Sequence, residues 1–294
     1  MLLDKQNICI EIYMEKLNYR ENKSFIVEKL VYENAVNRTK VYLAKDIELR
    51  RSVIIKEIIF ENDIQKKTIL NEANNQIVLE SYTEHIPFIY NVFVNDNNKK
   101  IAIEMSCIKG KNLREVISQI DYSQINSNLN KELFKTFMRI VGTMARVHRL
   151  RNFVHKDLKP ENVILNSQRD AAYVIDFGIS GPGLCKGIGT FSYMAPEQRD
   201  SVDRFNVSQA TDVFSLALIG VELFTGRVPI FGDDFIYSPK ENKWIKEPDI
   251  EKELNPLYSK LGTILKKAFA LDPKDRYPNV IDMYTALKNI RARK

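Results

Sequence analysis

The pattern of apolar residues changes character near residue 110, and that change constrains the fold of this 294-residue chain more than any other feature. From Phe25 to Val94 the apolar residues come in short β-branched or aromatic runs: Phe25-Ile26-Val27, Val41-Tyr42-Leu43-Ala44 and Val53-Ile54-Ile55. Runs of this length between polar connections read as strands. One helical stretch, Thr68 to Glu80, interrupts them. The turn-forming segment Asn95-Asp96-Asn97-Asn98 separates Val92-Phe93-Val94 from Ile101-Ala102-Ile103, which is hairpin chemistry. After Gly110 the spacing becomes helical: Leu113, Val116 and Ile117; Leu133, Phe137, Ile140, Val141 and Met144; Val213, Leu216, Ala217, Gly220 and Leu223; Leu261, Ile264, Leu265, Ala268 and Phe269. The expectation is an α+β fold in two lobes, a small β-rich one with one main helix and a larger helical one. Residues 1–24 read as an N-terminal extension, 25–108 as the first lobe with its connector, and 109–294 as the second. Ligand sites favour such junctions.

Composition narrows the function classes. The net charge is +6, but the basic residues are scattered, apart from Lys288, Arg291, Arg293 and Lys294 at the end, which read as a solvated helix terminus. No nucleic-acid partner is expected. Cys9, Cys107 and Cys185 are odd in number, far apart and without a CxxC spacing, which argues against a disulfide framework or zinc site and for a reducing compartment. The most apolar run, Val213 to Phe224, is too short for a bilayer and contains Ser215 and Glu222. Met1-Leu2-Leu3-Asp4-Lys5 does not begin a signal peptide. A cytoplasmic protein with no membrane partner is expected.

The segment richest in chemistry is His155-Lys156-Asp157-Leu158-Lys159-Pro160-Glu161-Asn162. Nineteen residues after Asp157 stands Asp176-Phe177-Gly178, and then Ala195-Pro196-Glu197. With these three motifs in this order, the sequence resembles the protein-kinase family from about Phe25 to Ile290. Phosphoryl transfer needs alignment and neutralised charge rather than covalent help from the protein. By the resemblance, Asp157 orients the attacking hydroxyl and accepts its proton, and Lys159 balances charge on the γ-phosphate. Asn162 and Asp176 supply hard oxygen ligands for Mg²⁺, with Mn²⁺ as an alternative ion. Lys56 in Val53-Ile54-Ile55-Lys56 contacts the α- and β-phosphates of ATP, with Glu72 chosen over Glu80 as its helix partner. Counting back from Gly110, Met105 guards the back of the nucleotide pocket, and main-chain groups of Ser106 and Ile108 meet the adenine. Thr190 bonds Asp157 and Lys159 in the active state and, with Lys159, implies serine or threonine of a protein substrate as acceptor. The resemblance makes Asp212 a support for the catalytic loop and pairs Arg276 with Glu197.

Two features depart from the family pattern. The phosphate-covering loop, aligned on Val41-Tyr42, puts the usual glycines at Asn34, Val36 and Thr39, and Glu33 to Lys40 contains no glycine. Asn34 and Asn37 tolerate left-handed backbone and Val36 does not. Either the loop stands away from the nucleotide, or Arg38 or Lys40 supplies charge where backbone N–H groups normally do. This feature favours a second reading, a nucleotide-binding scaffold with weak or no transfer. A small-molecule kinase is a third. Lys156 also replaces a common arginine, and Ser180 is the one hydroxyl between Asp176 and Thr190. The expectation is activity without loop phosphorylation, and a loop phosphate essential to turnover would contradict it. His85, His148 and Trp244 are expected to have no catalytic role.

Overall fold

β-Branched residues at alternate positions give the first part of the chain its sheet. The computed structural model describes residues 16–20, 23–150, 152–177, 192–198, 206–227, 236–238, 243–246 and 259–291. Six strands, β1 (Lys16–Arg20), β2 (Lys23–Asn34), β3 (Thr39–Asp46), β4 (Arg51–Ile59), β5 (Ile89–Asn95) and β6 (Lys100–Ser106), form an antiparallel sheet in the order β1-β2-β3-β4-β6-β5. Residues 16–20, read from the sequence as part of an extension, are its outer strand. Tyr42, Ala44, Val53, Ile55, Phe93 and Ala102 share one face with Phe25 and form a buried cluster. Burying each large member contributes about 1.5–3 kcal/mol. Because side chains alternate, Lys56 lies on the opposite face, in register with Val41 and Ile103.

Four turns among the described residues share one design that dispenses with glycine. Asn34, Asp46, Asn95 and Asn166 each accept backbone N–H groups two to five residues ahead through a side-chain oxygen. Three or four residues further on, each turn closes on a left-handed basic residue: Arg38 (φ 46°), Arg50 (51°), Lys99 (49°) and Arg169 (54°). Of the two asparagines expected to tolerate left-handed backbone, Asn34 caps its turn and Asn37 is one of the residues it caps, while the long side chain of Arg38 takes the strain of about 1–2 kcal/mol.

Helix α1 (Asp63–Glu80) starts five residues earlier than its apolar spacing suggests. Asn62 Oδ1 accepts from Gln65 N at 3.0 Å, and Gln65 Oε1 from Glu61 N at 2.6 Å. This pair is a near relative of the capping box and starts the helix on polar residues. The chain divides into two compact units, 1–66 with 89–107, and 67–88 with 108–294. The sequence grouped the whole helix with the strands. Its later residues belong to the second unit because Leu79 and the following Ile86 are fully buried in that unit's core, while Val174 N bonds His85 O at 3.1 Å.

The second unit is built on helices. After α2 (Leu113–Ile117), α3 (Ser127–Val147) buries Leu133, Phe137, Ile140, Val141 and Met144, the stripe its spacing predicts. Helix α4 (Gln209–Thr225) is buried on all sides from Ala210 to Phe224 and forms the centre. Helices α5 (Ser259–Ala268) and α6 (Val280–Arg291) follow. A three-stranded sheet, β7 (Gly110–Asn112), β8 (Val163–Asn166) and β9 (Ala172–Val174), takes the motif of residues 155–162 directly into its central strand, β8. Gly110 is required there, since a Cβ would sit 2.0 Å from Leu165 O. Strands β10 (Ile236–Ser238) and β11 (Lys243–Lys246), the latter containing Trp244, pair with each other. Among the described residues no helix is long and apolar enough to cross a membrane.

Candidate active site

The loop after α3 is held from within the core. Ser208 and Thr211 cap the start of α4 reciprocally, and Asp212 follows in the first turn, fully buried. Its carboxylate accepts from His155 N at 2.7 Å and Lys156 N at 3.0 Å, and meets His148 Nε2 at 3.0 Å. His148 Nδ1 accepts from Val280 N at 3.2 Å, which leaves Nε2 as the nitrogen that donates to Asp212. Burial pushes the Asp212 carboxyl up, but the His148 hydrogen bond, together with His155, outweighs it and holds the group below the ordinary carboxylate value. His148 was expected to have no catalytic role. It orients Asp212, the residue that holds the His155 and Lys156 backbone.

Three of the predicted catalytic residues meet on this loop. Lys159 Nζ lies 3.0 Å from Asp157 Oδ2. Asn162 Nδ2 donates to Asp157 O at 2.8 Å and reaches Asp157 Oδ2 at 3.3 Å. Pro160 opens the single helical turn Pro160–Asn162 that presents Asn162, since its fixed φ suits a first helical position. Ile175 N bonds Asn162 O at 2.9 Å, so the backbone of Asp176 begins one residue from that turn. Asp176 is exposed, and the buried Phe177 beside it packs on His155 and Phe153 with ring centroids 4.9 and 6.0 Å away. Lys156 (φ 72°) and Asp176 (φ 62°) are both left-handed without being glycine. Strain of about 1–3 kcal/mol at such residues persists only where neighbours over-determine the backbone, a recurrent trait of active sites.

These donors fit a hard divalent cation. The Asn162 nitrogen is committed to Asp157, so its Oδ1 is the oxygen left to a metal, and Asp176 adds a carboxylate. Among the described residues no group of three or more His, Cys, Asp or Glu could hold a metal ion. Two protein oxygens are enough for a hard divalent cation that completes its shell with water and phosphate.

The other predicted residues are placed on their own elements. Lys56 is half-buried on β4, and Met105 and Ser106 end β6, with Ile108 two residues beyond. Glu72 is half-buried on α1, beside Ala73 and one turn before Gln76, whose Nε2 donates to Pro87 O at 2.7 Å. In the turn between β2 and β3, Asn34 Oδ1 takes the N–H groups of Val36 (2.9 Å) and Asn37 (3.1 Å), groups a glycine loop would offer to phosphate. Arg38 pairs with Glu61 at 3.3 Å and Lys40 with Glu33 at 3.2 Å, so both cations proposed as substitutes already face carboxylates. A groove of ≈ 390 Å³ beside this turn includes Lys40, Glu57 and Lys100 in its lining. In the register of the sheet these lie on the face opposite Lys56, so the groove, which Asn34 and Arg38 also line, does not open on that lysine. Thr190 lies outside the described residues, as do Ser180, Cys185 and Gly178.

Around the loop, Arg276 and Glu197 form the expected buried pair, with Nη1–Oε1 2.7 Å and Nη2–Oε2 2.9 Å. A second cluster was not foreseen. Arg114 donates to Glu161 Oε1 at 2.8 Å, to Tyr193 OH at 2.6 Å and to the buried Glu222. Burial pushes the Tyr193 phenol up to about 12, against the opposing effect of Arg114.

Residues 37–286 match the model of the protein kinase domain. The chain is 27% identical over 274 residues to Serine/threonine-protein kinase D of Synechocystis sp., covering 85% of this chain and 49% of that protein. It is 28% identical over 260 residues to Serine/threonine-protein kinase PrkC of Bacillus subtilis, covering 84% of this chain and 38% of that one. The chain thus spans half or less of the length of these curated relatives. Its fold is similar to the crystal structure of the Mycobacterium tuberculosis PknI kinase domain, with TM-score 0.63 and 21% identity over 90% of this chain and 95% of that one.

Proposed function

The chain belongs to the protein kinase family, and from that premise we propose that it transfers the γ-phosphoryl group of ATP to serine and threonine hydroxyls of protein substrates. The observation that carries this reading is the meeting of Asp157, Lys159 and Asn162 on one braced loop, with Lys159 3.0 Å and Asn162 3.3 Å from the same Asp157 oxygen. Asp157 orients the acceptor hydroxyl and takes its proton as the oxygen attacks. Such general-base assistance is worth about 10²–10⁴-fold. Lys159 balances the charge that passes to the transferring group, and Asn162 fixes the loop while offering Oδ1 outward. Bound Mg²⁺, which Asn162 and Asp176 would hold, supplies charge neutralisation at the phosphates. Lys56, Glu72, Thr190, Met105, Ser106 and Ile108 carry the roles that the family resemblance gives them.

Labelled Mg-ATP with casein as acceptor tests the reading, followed by acid hydrolysis and separation of the phosphoamino acids. Label on serine or threonine, lost in Asp176→Ala, is expected. Label on tyrosine alone would reject the acceptor class. Nucleotide-induced thermal stabilisation without any transfer would return the scaffold reading in its place.

A further inference from the structure

Gln198 is fully buried at the end of the single turn Pro196–Gln198, and both ends of its side-chain amide are engaged. Nε2 donates to Lys156 O at 2.7 Å, and Oε1 accepts from Ala195 N at 3.1 Å. Lys156 immediately precedes Asp157 and is left-handed, with its own N–H already held by Asp212 Oδ1 at 3.0 Å. Side chains from two separate segments therefore grip both polar groups of one strained residue. An L-residue in this region relaxes toward ordinary backbone unless its neighbours prevent it. Asp212 restrains the peptide that enters Lys156. The peptide that leaves it runs into Asp157, and its carbonyl is held by Gln198. Rotation of that peptide is the motion that would carry Asp157 away from Lys159 and Asn162.

We propose that Gln198 is a positioning residue for Asp157: it locks the Lys156–Asp157 peptide and makes the geometry of the base depend on the seating of the 195–198 turn. The proposal rests on the kinase reading and deepens it, since that turn closes the segment that begins with the Asp176 motif. A merely structural amide would satisfy the Ala195 N–H and leave turnover untouched.

The test uses the full chain with Gln198→Met, which keeps the volume and removes the donor. Gln198→Glu serves as the second variant, keeping an acceptor for Ala195 N–H while setting oxygen against the Lys156 carbonyl. For both, kcat with casein should fall about 10- to 100-fold, the scale of a small misplacement of a catalytic group, while KM for ATP and the thermal shift with Mg-ADP stay unchanged. Amide exchange across residues 155–162 should quicken in Gln198→Met. Added to Asp157→Asn, neither variant should lower the residual rate further. Wild-type kcat and exchange in Gln198→Met would overturn the proposal, as would loss of activity only together with cooperative unfolding, or losses additive to Asp157→Asn. A wild-type chain without transfer whose 155–162 exchange still depends on Gln198 would remove the kinase reading and leave the positioning role standing.

Discussion

The catalytic loop and the β2–β3 turn are both places where the backbone takes left-handed geometry without glycine, and they are held in opposite ways. At the loop, the restraints on Lys156 come from Asp212 and Gln198, 56 and 42 residues distant in sequence. At the turn, Asn34 caps Val36 and Asn37 from two and three residues away, and Val36 remains 90% exposed. A locally capped turn holds its own shape but fixes nothing else. A loop braced by distant core residues has its atoms placed relative to the whole unit, which proton transfer requires. The glycine-free β2–β3 turn is thus one of four turns of this design among the described residues, and not by itself a mark of lost function.

The sharpest way to break this contrast is Asp212→Ala. It strips two buried N–H groups and the His148 ring of their acceptor, so a loss of about 3–5 kcal/mol in urea unfolding is expected, along with transfer. A loss below about 1 kcal/mol, the scale of one ordinary hydrogen bond, would mean the loop is not core-braced. The same residue sets a pH signature. Because its folded carboxyl titrates below the ordinary 3.8, its stabilisation is fully present above pH 3.8 and lost as pH falls through the lower folded value. Urea midpoints of wild type and Asp212→Asn should therefore converge only below pH 3.8, and convergence already at pH 5 would contradict the assignment.

Asn162→Ala comes next. It removes the amide that spans Asp157 O and Oδ2, and kcat should fall about 10²-fold while the cooperative unfolding transition remains. At the turn the effects shrink. Asn34→Ala should cost about 1 kcal/mol, the worth of a capping side chain, and change KM for ATP more than kcat. Arg38→Gly should be neutral or stabilising by up to about 1 kcal/mol, since glycine relieves the left-handed strain and the exposed Glu61 pair is worth little. A clear destabilisation there would show that the Arg38 side chain holds more than its own turn.

How much of this was legible in the sequence follows the same division. The order of His155 to Asn162, Asp176-Phe177 and Ala195 to Glu197 located the loop, and the apolar spacing of α3 and α4 named their buried residues. The start of α1 was missed because it is set by the polar pair Asn62 and Gln65, while the helix exposes Ile64, Ile77 and Val78 and buries Gln76, blurring the periodicity. β1 was missed because Lys16 to Arg20 is a short polar edge strand whose pairing, rather than its composition, makes it a strand. His148, Gln198 and the Arg114 cluster act through partners dozens of residues away, and no local pattern records such bonds.

The most direct test of the account is the single-turnover rate of phosphoryl transfer from Mg-ATP to casein in wild type and Asp157→Asn, with Mg-ADP binding measured on the same samples. A loss of about 10²–10⁴-fold with nucleotide binding retained is expected. An Asp157→Asn rate equal to that of wild type would contradict it.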